Sequence, residues 1–153
     1  MVLDMLMPPL RAALLAPLLL MAGTAVALAQ DDGEAMTDED GVPLYRVEEG
    51  RVDRGTYNGY RRYHNSCHVC HGADGLGSSF APALAETMDS IDYYAFLEVV
   101  ASGRQNPGAT GNKVMPAFGT DPNVMDHIDD IYRYLKARSE GELGRGRPVR
   151  LEG

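Results

Sequence analysis

The chain has 153 residues, enough for one domain, and a formal net charge of −8 at pH 7. That acidity disfavours nucleic acid and anionic lipid as partners and suits docking to a basic patch on another protein. Two cysteines exclude a disulfide framework, and no tryptophan with only three phenylalanines leaves few large apolar side chains for a core.

Residues 1–11 carry one arginine, Arg11, against one aspartate, Asp4, and residues 12–29 run without charge. The run ends in Ala27-Leu28-Ala29, small residues at the −3 and −1 positions before Gln30, which suits signal-peptidase cleavage. Residues 1–29 are therefore expected to be a signal peptide. The alternative is an uncleaved anchor, for which the stretch is marginal: a span takes about 20 residues, and Pro17 lies inside it. Residues 30–41 are acidic and nearly free of bulky apolar groups, so they cannot offset their ordering entropy by burial. Residues 30–54 are expected to be a flexible acidic leader, in which 43–53 lies on the domain as an irregular strap.

A first helix is predicted over 56–66, with Thr56 as N-cap and Tyr57, Tyr60 and Tyr63 on one face. It runs straight into Cys67-His68-Val69-Cys70-His71. The glycines and serines of 72–79 predict a loop. A second helix is predicted over 90–102, capped by Asp89 or Ser90, with Tyr93, Phe96, Leu97 and Val100 as its buried stripe and Gly103 as a left-handed terminator. Residues 104–119 hold Pro107, Gly108, Gly111, Pro116 and Gly119 and are expected to be irregular; a loop of that length in a compact domain is usually functional. The last helix follows Asp121-Pro122, where Val124, Ile128, Ile131 and Leu135 fall at i, i+4, i+7 and i+11. Gly141, Gly144 and Gly146 then predict a disordered tail over 141–153, with a small basic stretch from Arg145 to Arg150. No alternating run of useful strand length appears. The expected fold class is all-α, with the folded domain over 55–140.

Two thiols separated by two residues and followed at once by histidine form the attachment pattern of c-type haem. Cys67 and Cys70 each add across one haem vinyl group, and His71 sits under the iron as proximal ligand. A zinc site would need further ligands from scattered histidines, and a thioredoxin-like pair would need a βαβ context that the chain lacks. One covalently bound haem c is expected, and such a flat apolar group would supply the core that the side chains lack. Covalent attachment needs reduced thiols and export, which places the product in the periplasm.

Residues 56–138 resemble the class I cytochromes c. Gly59, Tyr63 and Cys67 match the family's glycine–aromatic–cysteine spacing on the helix entering the haem motif. The resemblance implies about three main helices around one haem, with Gly59 crossing the last helix against Tyr134. It also implies Met115, beside Pro116 in the long loop, as the distal iron ligand, with Met88, Met125, His64, His68 and His127 as competitors. It makes Pro82 the donor of a backbone carbonyl to the outer nitrogen of His71. Arg104, after Gly103, either pairs with a haem propionate or stays solvated. Within the class, the wording of residues 64–75 resembles the periplasmic cytochromes of methanol oxidation. This implies an electron carrier rather than an enzyme, reduced by a quinoprotein alcohol dehydrogenase that uses pyrroloquinoline quinone. The acceptor would be another cytochrome c or a terminal oxidase. Two other functions stay open: a haem enzyme or gas or redox sensor with a vacant or labile sixth position, and a thiol oxidoreductase using Cys67 and Cys70 directly.

Overall fold

The structure, a computed structural model, describes residues 36–108 and 111–151; the expected signal peptide lies outside them. The order of elements is β1 (Val47–Glu48), β2 (Arg51–Val52), α1 (Arg54–Ser66), α2 (His68–His71), α3 (Leu84–Thr87), α4 (Tyr93–Ser102), β3 (Arg104–Gly108), β4 (Gly111–Met115), α5 (Pro122–Met125), α6 (Ile128–Ser139) and β5 (Val149–Arg150). Helices dominate, as expected, and the strands are short. Among the described residues no helix is long and apolar enough to cross a membrane.

The centre of the fold is the crossing of α1 over α6. A Cβ built on Gly59 would lie 1.7 Å from the Asp130 carbonyl oxygen and 3.0 Å from Tyr134 Cβ. Only a residue without a side chain admits this approach. Tyr134 and Tyr63 are both fully buried there, with ring centroids 5.4 Å apart. Val124, Ile128, Ile131 and Leu135 are all buried, so the apolar stripe read along the sequence does face the core.

Helix boundaries differ from the sequence expectation for local reasons. Asp53, not Thr56, caps α1: its Oδ1 accepts from the Thr56 N–H at 2.9 Å, and the Thr56 hydroxyl donates to its Oδ2 at 2.6 Å. Asp92 caps α4, accepting from the Ala95 N–H at 2.8 Å, so that helix starts later than residue 90. The last helix is broken: α5 ends at Met125, and His127 precedes α6 with φ −131°. Met125 and His127 therefore flank a break instead of lying on one continuous helix. Gly103 does close α4 at positive φ, +72°, but its ψ of −179° sends the chain off extended.

The expectation of an irregular 104–119 is corrected. Arg104 pairs with Met115, Gln105 with Val114 and Asn106 with Lys113 in an antiparallel β3–β4 hairpin. Pro107 and Gly108 on one arm and Gly111 on the other sit towards its tip, where turn residues belong. Read singly they signal loop; each arm is too short to announce itself until the other satisfies its backbone.

Over the described residues, the segments before α1 and after α6 make contacts with the helical domain, and residues 43–53 lie on it as a strap. Arg133, itself buried, donates from Nε to the Leu44 carbonyl at 2.8 Å, from Nη2 to the Met36 carbonyl at 3.1 Å, and from Nη1 to Asp130 at 2.8 Å. The Tyr94 hydroxyl donates to the Asp40 carbonyl at 2.7 Å. Glu49 and Gly50 turn at positive φ to join β1 to β2, and β5 pairs in parallel with β2, with Val52 fully buried between. Leu143 and Pro148 in the tail are buried as well. These segments gain hydrogen bonds and apolar cover that their own composition does not reveal.

The crossing yields a direct expectation. Gly59→Ala forces α1 away from α6 and costs about 3 kcal/mol, the upper end for overpacking a core. The measurement is the denaturant unfolding midpoint, which falls with an unchanged slope.

Candidate functional site

Helix α1 delivers its last turn into the cysteine motif without a change of backbone sense. Cys67 keeps helical angles, its N–H donates to the Tyr63 carbonyl at 2.8 Å, and the His71 N–H donates to the Cys67 carbonyl at 3.0 Å. One helical turn thus presents Cys67, Cys70 and His71 together, and all three line a single cavity of about 840 Å³. Both cysteines are free thiols.

Beyond His71 the chain must turn sharply. Gly72 has φ +75°, and a Cβ there would meet the Gly77 carbonyl oxygen at 2.3 Å. The Gly77 N–H returns to the His71 carbonyl at 2.8 Å, and the Tyr63 hydroxyl donates to the Gly72 carbonyl at 2.5 Å. Burial holds the Tyr63 phenol well above its ordinary range, so it stays a neutral donor. The loop then brings Pro82 back to the histidine. His71 Nδ1 lies 3.0 Å from the Pro82 carbonyl oxygen. A carbonyl only accepts, so Nδ1 carries the proton and Nε2 keeps its lone pair for a ligand.

The rest of the cavity is mostly apolar. Leu84 and Met88 come from the α3 segment, Phe96 and Val100 from α4, and Ile128, Ile131 and Leu135 from α6. The hairpin contributes Arg104, Val114 and Met115, followed by Pro116 and Phe118. The structure therefore brings together all six residues singled out in the sequence: Cys67, Cys70, His71, Pro82, Arg104 and Met115. Arg104 is exposed and Met115 half-buried. Of the competing iron ligands only Met88 also lines the cavity; Met125, His64, His68 and His127 do not. Met88 is almost fully buried, at 1% exposure. Sequence reasoning missed the Tyr63 clamp on Gly72, because the residue's spacing announces a packing aromatic and says nothing of its hydroxyl.

The surroundings of Cys67 disfavour its use as a nucleophile. Burial, and then the neighbouring Cys70, push the Cys67 thiol up to about 11. Nucleophilic cysteines work as thiolates and need the opposite shift. The donor set fits haem c instead: two thiols for thioether links, one imidazole with a fixed tautomer, a cavity walled largely by aliphatic and aromatic groups, and methionine among its lining residues.

Comparison with known proteins agrees. Residues 56–135 match the family described as cytochrome c oxidase, cbb3-type, subunit III. Cytochrome c-553I of Paracoccus denitrificans is 54% identical over 123 residues, which cover 80% of this chain but only 54% of that protein. This chain thus spans about half the length of that relative. Cytochrome c-555 of Methylococcus capsulatus is 38% identical over 96 residues, 62% of this chain and 72% of the relative. The crystal structure of the c-type cytochrome XoxG from Methylobacterium extorquens AM1 superposes with a TM-score of 0.69 at 45% identity, covering 76% of this chain and 72% of that one. A family match over more than half of the sequence, joined to a relative covered across most of its length, means that this chain belongs to the class I c-type cytochromes, which carry covalently bound haem c.

Proposed function

We propose that this protein is a periplasmic single-haem electron carrier, reduced by a quinoprotein alcohol dehydrogenase and oxidised by another cytochrome c or a terminal oxidase. The observation that carries the proposal is the convergence of Cys67, Cys70, His71 and Met115 on one apolar cavity. Bound haem c supplies a one-electron iron couple; everything else is done by the chain. Cys67 and Cys70 hold the group by thioether links. His71 would hold the iron, its orientation and basicity set by the Pro82 carbonyl. Met115 would supply the second protein ligand, and a thioether in that role raises the potential relative to a second imidazole. The apolar cavity wall would limit water at the metal, and Arg104, exposed at the cavity, would offer its guanidinium to a propionate.

Two features support a carrier over an enzyme or sensor. Met115 lines the cavity and can close the sixth position, and among the described residues the lining places no acid–base pair beside His71. The choice of donor rests on the likeness of residues 64–75 to the cytochromes of methanol oxidation. The formal charge of −8 suits steering towards a basic docking surface.

Met115→Ala tests the ligand. The ferric protein is expected to be low-spin with a near-infrared methionine-to-iron band, and the substitution abolishes that band and lowers the midpoint potential. A band that survives in Met115→Ala and vanishes in Met88→Ala moves the ligand to Met88. A wild-type protein already high-spin defeats the carrier assignment in favour of an open site. The partner is tested by stopped-flow mixing with a purified quinoprotein methanol dehydrogenase. Reduction is expected to be fast and to slow as salt rises through the range where the Debye length falls below about 10 Å. A rate no better than that of a small neutral reductant retires this donor.

A further inference from the structure

The loop between His71 and Pro82 contains a buried acid that the electron-carrier function does not use. Asp74 stands in the left-handed region at φ +62°, where a non-glycine residue is strained, and its side chain is only 7% exposed. Its carboxylate is gripped by the C-terminal tail: Oδ1 accepts from the Gly146 N–H at 2.9 Å and Oδ2 from Arg145 Nε at 3.3 Å. Its backbone carbonyl accepts from Arg138 Nε at 3.2 Å, and Arg138 Nη1 donates in turn to the Leu143 carbonyl. The same tail continues into β5 and pairs with β2, where the Leu151 N–H donates to the Val52 carbonyl at 2.8 Å. A segment far along the chain is therefore bolted to the loop that follows His71.

We propose that the buried Asp74 carboxylate and the tail latched to it through Arg145 together tune the reduction potential of the bound haem. The inference rests on the haem reading above. A buried carboxylate three residues from the proximal ligand favours the more positive, oxidised state, and the Arg145 guanidinium offsets that bias only while it is latched to Asp74. Arg145 is 73% exposed, so its charge acting alone is largely screened by solvent. Coupling through the latch, not distance alone, is what gives it leverage.

The test is spectroelectrochemical titration of the holoprotein in four forms: wild type, Asp74→Asn, Arg145→Gln and the double variant. Asparagine tolerates the left-handed backbone, so the loop keeps its path. Asp74→Asn is expected to raise the midpoint potential and Arg145→Gln to lower it. In the Asp74→Asn background the Arg145→Gln shift shrinks towards zero. Equal Arg145→Gln shifts in both backgrounds, or unmoved potentials in both single variants, overturn the latch. Should Asp74→Asn not accumulate, the surface variants Arg145→Gln and Arg145→Glu carry the test: a graded fall supports it and no fall overturns it. A wild-type protein without a haem spectrum defeats the haem reading itself, whereas a normal spectrum with unmoved potentials defeats only the latch.

Discussion

The contact between Gly59 and the Asp130 carbonyl is the constraint on which the remaining geometry depends. Because the two backbones touch, α1 leaves the crossing in a fixed direction and brings Ser66, Cys67, Cys70 and His71 to the cavity wall, while α6 presents Ile128, Ile131 and Leu135 to the same cavity. Any side chain at 59 would separate the helix that leads into Cys67 from the helix forming the apolar wall. Tyr63 serves both ends of this arrangement. Its ring packs against Tyr134 at the crossing, and its hydroxyl holds the carbonyl of Gly72, immediately after His71.

Loop rigidity replaces regular structure around His71. The turn from Gly72 to Pro82 is tied by the Gly77 N–H to the His71 carbonyl, by Tyr63 to Gly72 and by Asp74 to the tail. Such ties matter for an electron carrier because a ligand field that shifts between oxidation states adds reorganisation to each transfer. The Pro82 carbonyl adds chemical control, since it selects the protonated ring nitrogen of His71 and leaves the other with a free lone pair.

Two arginines on α6 organise the periphery by the same means. Arg133 reaches the carbonyls of Met36 and Leu44, and Arg138 reaches those of Asp74 and Leu143. A guanidinium carries several donors in a rigid fork and stays charged, so it satisfies carbonyls of irregular backbone that no ladder could. This is how segments of low apolar content come to lie against the domain.

Much of the site is legible in the chain itself. The spacing of Cys67, Cys70 and His71 specifies the attachment chemistry, and the periodicity of Val124, Ile128, Ile131 and Leu135 specifies a buried helical face, because both are local patterns within a few turns. Gly59 opposite Tyr134 and Pro82 as carbonyl donor were accessible through family resemblance. What only the tertiary structure decided is non-local: the pairing of Arg104 with Met115 in a hairpin, the seating of the leader on Arg133, and the closure of the tail on Asp74. Each depends on a partner far away in sequence, and a polar or glycine-rich segment looks the same on its own whether or not such a partner exists.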